Sequence, residues 1–95
     1  MLYTLQLAPA SYTGWMQKPL VVLADWDAEA GVWVATSEDV PGLVTESETL
    51  EALSDKLQHL VPELLRANGA LVDDEVSYEL LARRFSVTQP SRHVN

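Results

Sequence analysis

Two different apolar spacings divide the chain. From Leu20 to Asp27 it reads Leu-Val-Val-Leu-Ala-Asp-Trp-Asp, and from Val32 to Ser37 it reads Val-Trp-Val-Ala-Thr-Ser. Both runs are short and rich in β-branched and aromatic residues, which pack well on a pleated surface, so each predicts a strand. The link Asp27-Ala28-Glu29-Ala30-Gly31 has hairpin length and ends on glycine. Adjacent strands with so short a link pair antiparallel. Glu38-Asp39-Val40-Pro41-Gly42 then predicts a tight turn, in which proline fixes one φ angle and glycine accepts a positive one. Leu43 to Glu46 leaves room for a short third strand.

After Ser47 the spacing changes. Leu50, Leu53, Leu57, Leu60, Val61, Leu64 and Leu65 recur at helical intervals. At a step of about 100° per residue they fill an arc of roughly 140°, one buried stripe. Thr49 is the expected N-cap, with Ser47 as the competing cap, and Glu51 in the first turn complements the helix dipole. Asn68-Gly69 is the stop signal. Pro62 has no N–H for the Gln58 carbonyl, yet the stripe keeps its phase across it, so the pattern predicts one kinked but continuous helix. At about 19 residues, roughly 28 Å, the helix can lie along a sheet face.

The ends of the chain are less regular. Leu2 to Leu7 alternates, with Tyr3, Leu5 and Leu7 apolar around Thr4 and Gln6, and Pro9, Gly14 and Pro19 punctuate the stretch up to the first long apolar run. This predicts a short strand in an arm able to pair with a sheet edge of its own or another copy. Val76, Tyr78 and Leu80 alternate again, but the phase slips at Leu80-Leu81 before Phe85 and Val87. A bulged last strand is preferred over a helical turn there. The divisions are therefore an arm over 1–18, a domain over 19–88 and a polar tail over 89–95. The fold class is α+β, a single β-β-β-α-β domain. Its sheet has three to four mainly antiparallel strands, with one long helix packed on one face.

Composition narrows the function. The 95 residues suit one core, and a domain of this size is marginal alone, so a homo-oligomer is expected. The absence of cysteine excludes disulfides, thiolate metal sites and thiol nucleophiles. No apolar run is long enough to cross a membrane, and no positive charge precedes Met1 to Ala10 as in a signal peptide, so a cytoplasmic location is expected. Fourteen acids face six Lys and Arg, a formal charge of −8. Such a surface repels phosphate backbones, so direct nucleic-acid binding is not expected, whereas a basic partner would be attracted.

Candidate chemistry is sparse. Asp25, Asp27, Glu29 and Asp39 are expected near one end of the hairpin, beside Trp26 and Trp33. Paired carboxylates on a strand can hold Mg²⁺, but no helix acid is placed to complete a site, and wet hairpin ends commonly carry acids. His59 lies on the polar arc of the helix and His93 in the tail, neither with a partner at metal-ligand spacing. There is no nucleophile elbow and no phosphate-binding glycine loop. No catalytic residue, metal ligand or cofactor is assigned.

The ordered series Gly31-Val32-Trp33-Val34-Ala35-Thr36-Ser37-Glu38-Asp39-Val40-Pro41-Gly42-Leu43-Val44-Thr45, followed by Glu48-Thr49-Leu50-Glu51-Ala52-Leu53, resembles the HicB-like antitoxin family. The resemblance covers roughly residues 19–69. It implies a partial RNase H-like fold without the nuclease site. It also implies that the domain masks a basic, mRNA-cleaving HicA-type toxin. The segment after Gly69 is too short for an added DNA-binding domain, and the 1–18 arm lies outside the pattern. The leading expectation is a non-enzymatic protein-binding domain with Asp25, Trp26, Asp27, Glu29, Trp33 and Asp39 as contact residues. The alternatives are a carboxylate-metal nuclease and a homo-oligomeric structural module.

Overall fold

The computed structural model describes residues 19–91. The expected strand at Leu2 to Leu7, the rest of the arm and the last four residues of the tail lie outside the described residues. The order of elements is β1 (Leu20–Asp27), β2 (Val32–Thr36), β3 (Val44–Ser47), α1 (Leu50–Ala67) and β4 (Tyr78–Arg83). They form an α+β domain with a four-stranded sheet in the order β3-β2-β1-β4.

The first two strands pair antiparallel from Leu23 opposite Thr36 to Asp27 opposite Val32. Gly31, at φ +71°, closes the hairpin and donates its amide to the Asp27 carbonyl at 2.7 Å. β3 adds antiparallel to β2. β4 runs parallel to β1, from Leu20 opposite Tyr78 to Asp25 opposite Arg83. A parallel neighbour needs a long crossover, and the stretch containing α1 supplies it.

This pairing corrects the expected bulge. The β4 register is unbroken across Leu80-Leu81. The phase slip in the sequence arises because consecutive leucines face opposite sides of the sheet. The strand also ends at Arg83, which leaves Phe85 and Val87 outside it, 90% and 74% exposed.

The helix behaves as its stripe predicts. Thr49 is the N-cap, its hydroxyl accepting from the Ala52 amide at 3.0 Å. The helix runs unbroken through Pro62. At its end Gly69, at φ +93°, donates to Arg66 and Ala70 donates to Leu65, a Schellman closure. The Asn68 side-chain amide donates to the carbonyls of Leu64 and Pro41, tying the helix end to the Pro41-Gly42 turn.

Leu53, Leu57, Val61 and Leu65 form the buried face of α1. They pack against Val22 and Ala24 of β1, Ala35 of β2, and Val40 and Leu43 from the turn. Gly42, at φ +87°, allows the tight reversal that seats both Val40 and Leu43 in the core. No polar or charged side chain is buried among the described residues.

Candidate functional site

The six candidate contact residues do not form one cluster. β2 runs back along β1, so the chain after Thr36 returns to the start of β1, away from the hairpin turn. Asp25, Trp26, Asp27, Glu29 and Trp33 lie at the turn end. Asp39 lies at the opposite end, where its Oδ2 accepts from the Val21 amide at 2.7 Å. This corrects the expected grouping of all four acids at one hairpin end.

Three of the four acids have a structural task. Asp25 and Arg83 face each other across the parallel β1–β4 pair. Arg83 Nε donates to Asp25 Oδ1 at 2.9 Å and its Nη2 to Oδ2 at 3.1 Å, a two-pronged contact. The Asp25 carboxylate raises the Arg83 pKa above its ordinary value, first through this hydrogen bond and then through its charge. Asp27 Oδ1 accepts from the amides of Glu29 and Ala30 at 3.0 and 3.1 Å, so it braces the turn. Asp39 holds the Val21 amide. Glu29 is the fourth, an exposed carboxylate at the turn with no such task.

The two tryptophans meet as partners in the β1–β2 register, with ring centroids 5.3 Å apart and planes tilted by 59°. Arg84, one residue beyond β4, places its guanidinium carbon 4.8 Å from the Trp26 ring centroid. A cation over the ring face is held by the ring quadrupole. The turn end of the sheet therefore carries an aromatic pair with a basic cover on its helix side and Asp25 and Asp27 on its other side, with Glu29 in the turn. Sequence reading locates the tryptophans and the acids and sees in Arg83 and Arg84 only a small basic spot, without their partners. Their partners are fixed by the parallel register, which nothing local in the sequence specifies.

A second feature missed in the sequence lies where β2 departs. The Ser37 hydroxyl donates to the Val21 carbonyl at 2.6 Å and accepts from the amides of Asp39 and Val40. With Asp39 on the Val21 amide, both backbone groups of Val21 are satisfied by side chains. Ser37 and Asp39 thus stand in for the next residue of β2, which has already turned away.

An open groove lies between the Pro62 side of α1 and the segment leading into β4. Its walls include Gln58, Pro62, Arg66, Val76 and Tyr78. Tyr78 is half-buried, and desolvation pushes its phenol pKa above the ordinary value, partly opposed by a hydrogen bond with Ser54. Among the described residues no group of three or more His, Cys, Asp or Glu is placed to hold a metal ion. No helix there is long and apolar enough to cross a membrane.

Fold and site together define a small α+β domain with an acidic exterior and an aromatic, arginine-covered sheet end. The chain belongs to the family described as "Domain of unknown function (DUF1902)", whose model matches residues 19–89. It is similar to the crystal structure of hypothetical protein TTHA1013 from the extremely thermophilic bacterium Thermus thermophilus. The two are 54% identical with a TM-score of 0.65, over 75% of this chain and all of the other. No curated protein matches the chain.

Proposed function

We propose that this DUF1902 domain is a non-enzymatic protein-binding module that masks a small basic partner. The partner implied by the HicB-like resemblance is a HicA-type RNA-cleaving toxin, and the setting is the cytoplasm. The supporting observation is the placement of charge. All fourteen acids of the chain fall within residues 19–91, and every one is exposed. Such a surface steers a basic protein and disfavours phosphate backbones.

The contact surface in this reading is the rim of the turn end, with Trp26 and Trp33 on the helix side, Asp25 and Asp27 on the opposite side and Glu29 in the turn between them. Asp39, at the far end of the sheet, is left out of it. Glu29 is the cleanest probe, because its replacement disturbs neither the Asp27 brace nor the Asp25–Arg83 pair. The experiment is titration of the full chain against a purified basic HicA-type protein, with RNA cleavage and direct binding as readouts. Stoichiometric inhibition that weakens steeply with salt is expected, and Glu29→Lys is expected to weaken binding by about tenfold at unchanged thermal midpoint. Failure to bind at low salt sinks the masking reading. The nuclease alternative finds no donor set among the described residues to support it.

A further inference from the structure

The face of the sheet opposite α1 carries a mainly apolar row, Leu81–Leu23–Thr36–Val44 in register, with Val21 beside it, and no described element covers it. Register partners share a face, so this outer face carries Val21 and Leu23 of β1, Val32 and Val34 of β2, Val44 of β3 and Leu81 of β4. Val44 is 71% and Leu81 42% exposed. Strand β1, inside the sheet, is apolar on both sides from Leu20 to Ala24. That pattern belongs to strands covered on both faces. Charged groups share the face: the next row reads Arg83–Asp25–Val34–Glu46, with Asp27 and Glu79 towards its two ends.

We propose that this outer face is the docking surface for the chain's own first eighteen residues, with the apolar side of Leu2–Leu7 lying across Leu23, Val34 and Leu81. The inference is independent of the masking reading. Three observations choose this occupant. First, residues 1–18 contain Leu2, Tyr3, Leu5, Leu7, Tyr12, Trp15 and Met16, apolar groups whose exposure to water is unfavourable. Second, charge favours the arm over a second copy. The arm carries Lys18 and no acid, whereas a second copy would bring its own acidic border against this one. Third, the connection is in the right place. The arm joins β1 at Pro19, at the end of the face itself. The tether from Ala8 to Lys18 can span up to about 36 Å extended, more than the roughly 26 Å of an eight-residue strand. A covalent tether of this length also gives an effective concentration of order millimolar, which outcompetes another molecule at ordinary concentrations.

The thermophile relative adds a contrast. It is matched over its whole length by three quarters of this chain, the share that residues 19–89 make up. The remaining quarter of this chain has no counterpart there.

The test is amide hydrogen exchange on the full chain, with sedimentation alongside. Amides of residues 2–7 are expected to exchange at least about tenfold slower than in a free peptide of the same sequence. Val34→Lys, at the centre of the face, is expected to return them to the free rate while residues 53–65 keep their protection. The fold tolerates this change, because the register partners of Val34 are Asp25 and Glu46, both acids. Should Val34→Lys also expose residues 53–65, Leu5→Asp provides the second variant. It leaves the core untouched and must release the arm and create new binding of an apolar dye. Free exchange of residues 2–7 in the unmodified chain overturns the proposal. So does protection that survives both variants, which indicates pairing at a sheet edge. Protection that grows with concentration together with a dimer in sedimentation also overturns it, and assigns the face to a second copy.

Discussion

The two faces of the sheet differ in make-up and in cover: the inner one is apolar and sealed, the outer one mixes apolar and charged positions. On the inner face Val22, Ala24 and Ala35 are fully buried beneath Leu53, Leu57 and Val61. On the outer face Val44 and Leu81 remain substantially exposed. The same strands supply both, because successive side chains of one strand point to opposite sides. The single helix seals one face, and the other is left without a described cover. The inner face holds the domain together, and the outer face is available for a covering partner.

The most severe break of this comparison is a truncation inside the helix stripe. Leu57→Ala is expected to cost about 3 kcal/mol of unfolding free energy, from lost burial and the cavity left behind. Val34→Ala on the outer face is expected to cost about 1 kcal/mol or less, since that side chain is only half-buried. Urea denaturation of both variants checks the difference, and equal losses would erase the distinction between the faces.

Gly42→Ala comes next. At φ +87° its Cβ would meet only Leu64 Cδ2, at an ordinary 3.8 Å. The backbone conformation itself still strains an alanine by about 1 to 2 kcal/mol. This turn seats Val40 and Leu43 on the inner side, so the loss is expected as a lower midpoint with the unfolding slope retained. Asp39→Ala removes the side-chain acceptor on Val21, at the end of the sheet where the arm enters, and is expected to cost about 1 kcal/mol.

The finer tests use charge. Burial on the inner side raises the Tyr78 pKa above the ordinary value of 10.0. The folded state therefore favours the protonated phenol. The associated stability is fully present below the unfolded pKa and is lost as pH rises through the higher folded value. Alkaline titration of stability is expected to show this decline, and Tyr78→Phe is expected to flatten it. The Asp25–Arg83 pair sits on the outer side with both side chains more than half exposed. Water screens such a pair, so Asp25→Asn is expected to leave the thermal midpoint unchanged within error.

The elements readable in the sequence are those whose cause is local. The hairpin rests on Gly31 and two β-branched runs, and the helix rests on a stripe, a Thr49 cap and an Asn68-Gly69 stop. All of them appear where the pattern puts them. The features that escape a sequence reading are nonlocal. Nothing near Leu80 says that its strand lies parallel to β1, and without that register Arg83 cannot be assigned to Asp25, nor Arg84 to Trp26. Asp39 falls among the wrong acids for a related reason. Proximity in sequence to the hairpin hides the reversal of β2, which carries Asp39 to the other end of β1. The serine and aspartate just after β2 do hold a signal, since short polar side chains at a strand end commonly bond to backbone. Their target, far upstream at Val21, does not show.

The parallel β1–β4 pair has a consequence for the chain as it is made. Asp25 and its partner Arg83 are separated by 58 positions. During synthesis the hairpin, the third strand and the helix all leave the ribosome before β4 does. Until then β1 is an edge strand, apolar on both sides and open along its backbone, the kind of surface that recruits other chains. The last strand to emerge is the one that closes this edge. A chain cut before Tyr78 keeps this edge open for good and is expected to be the more aggregation-prone form.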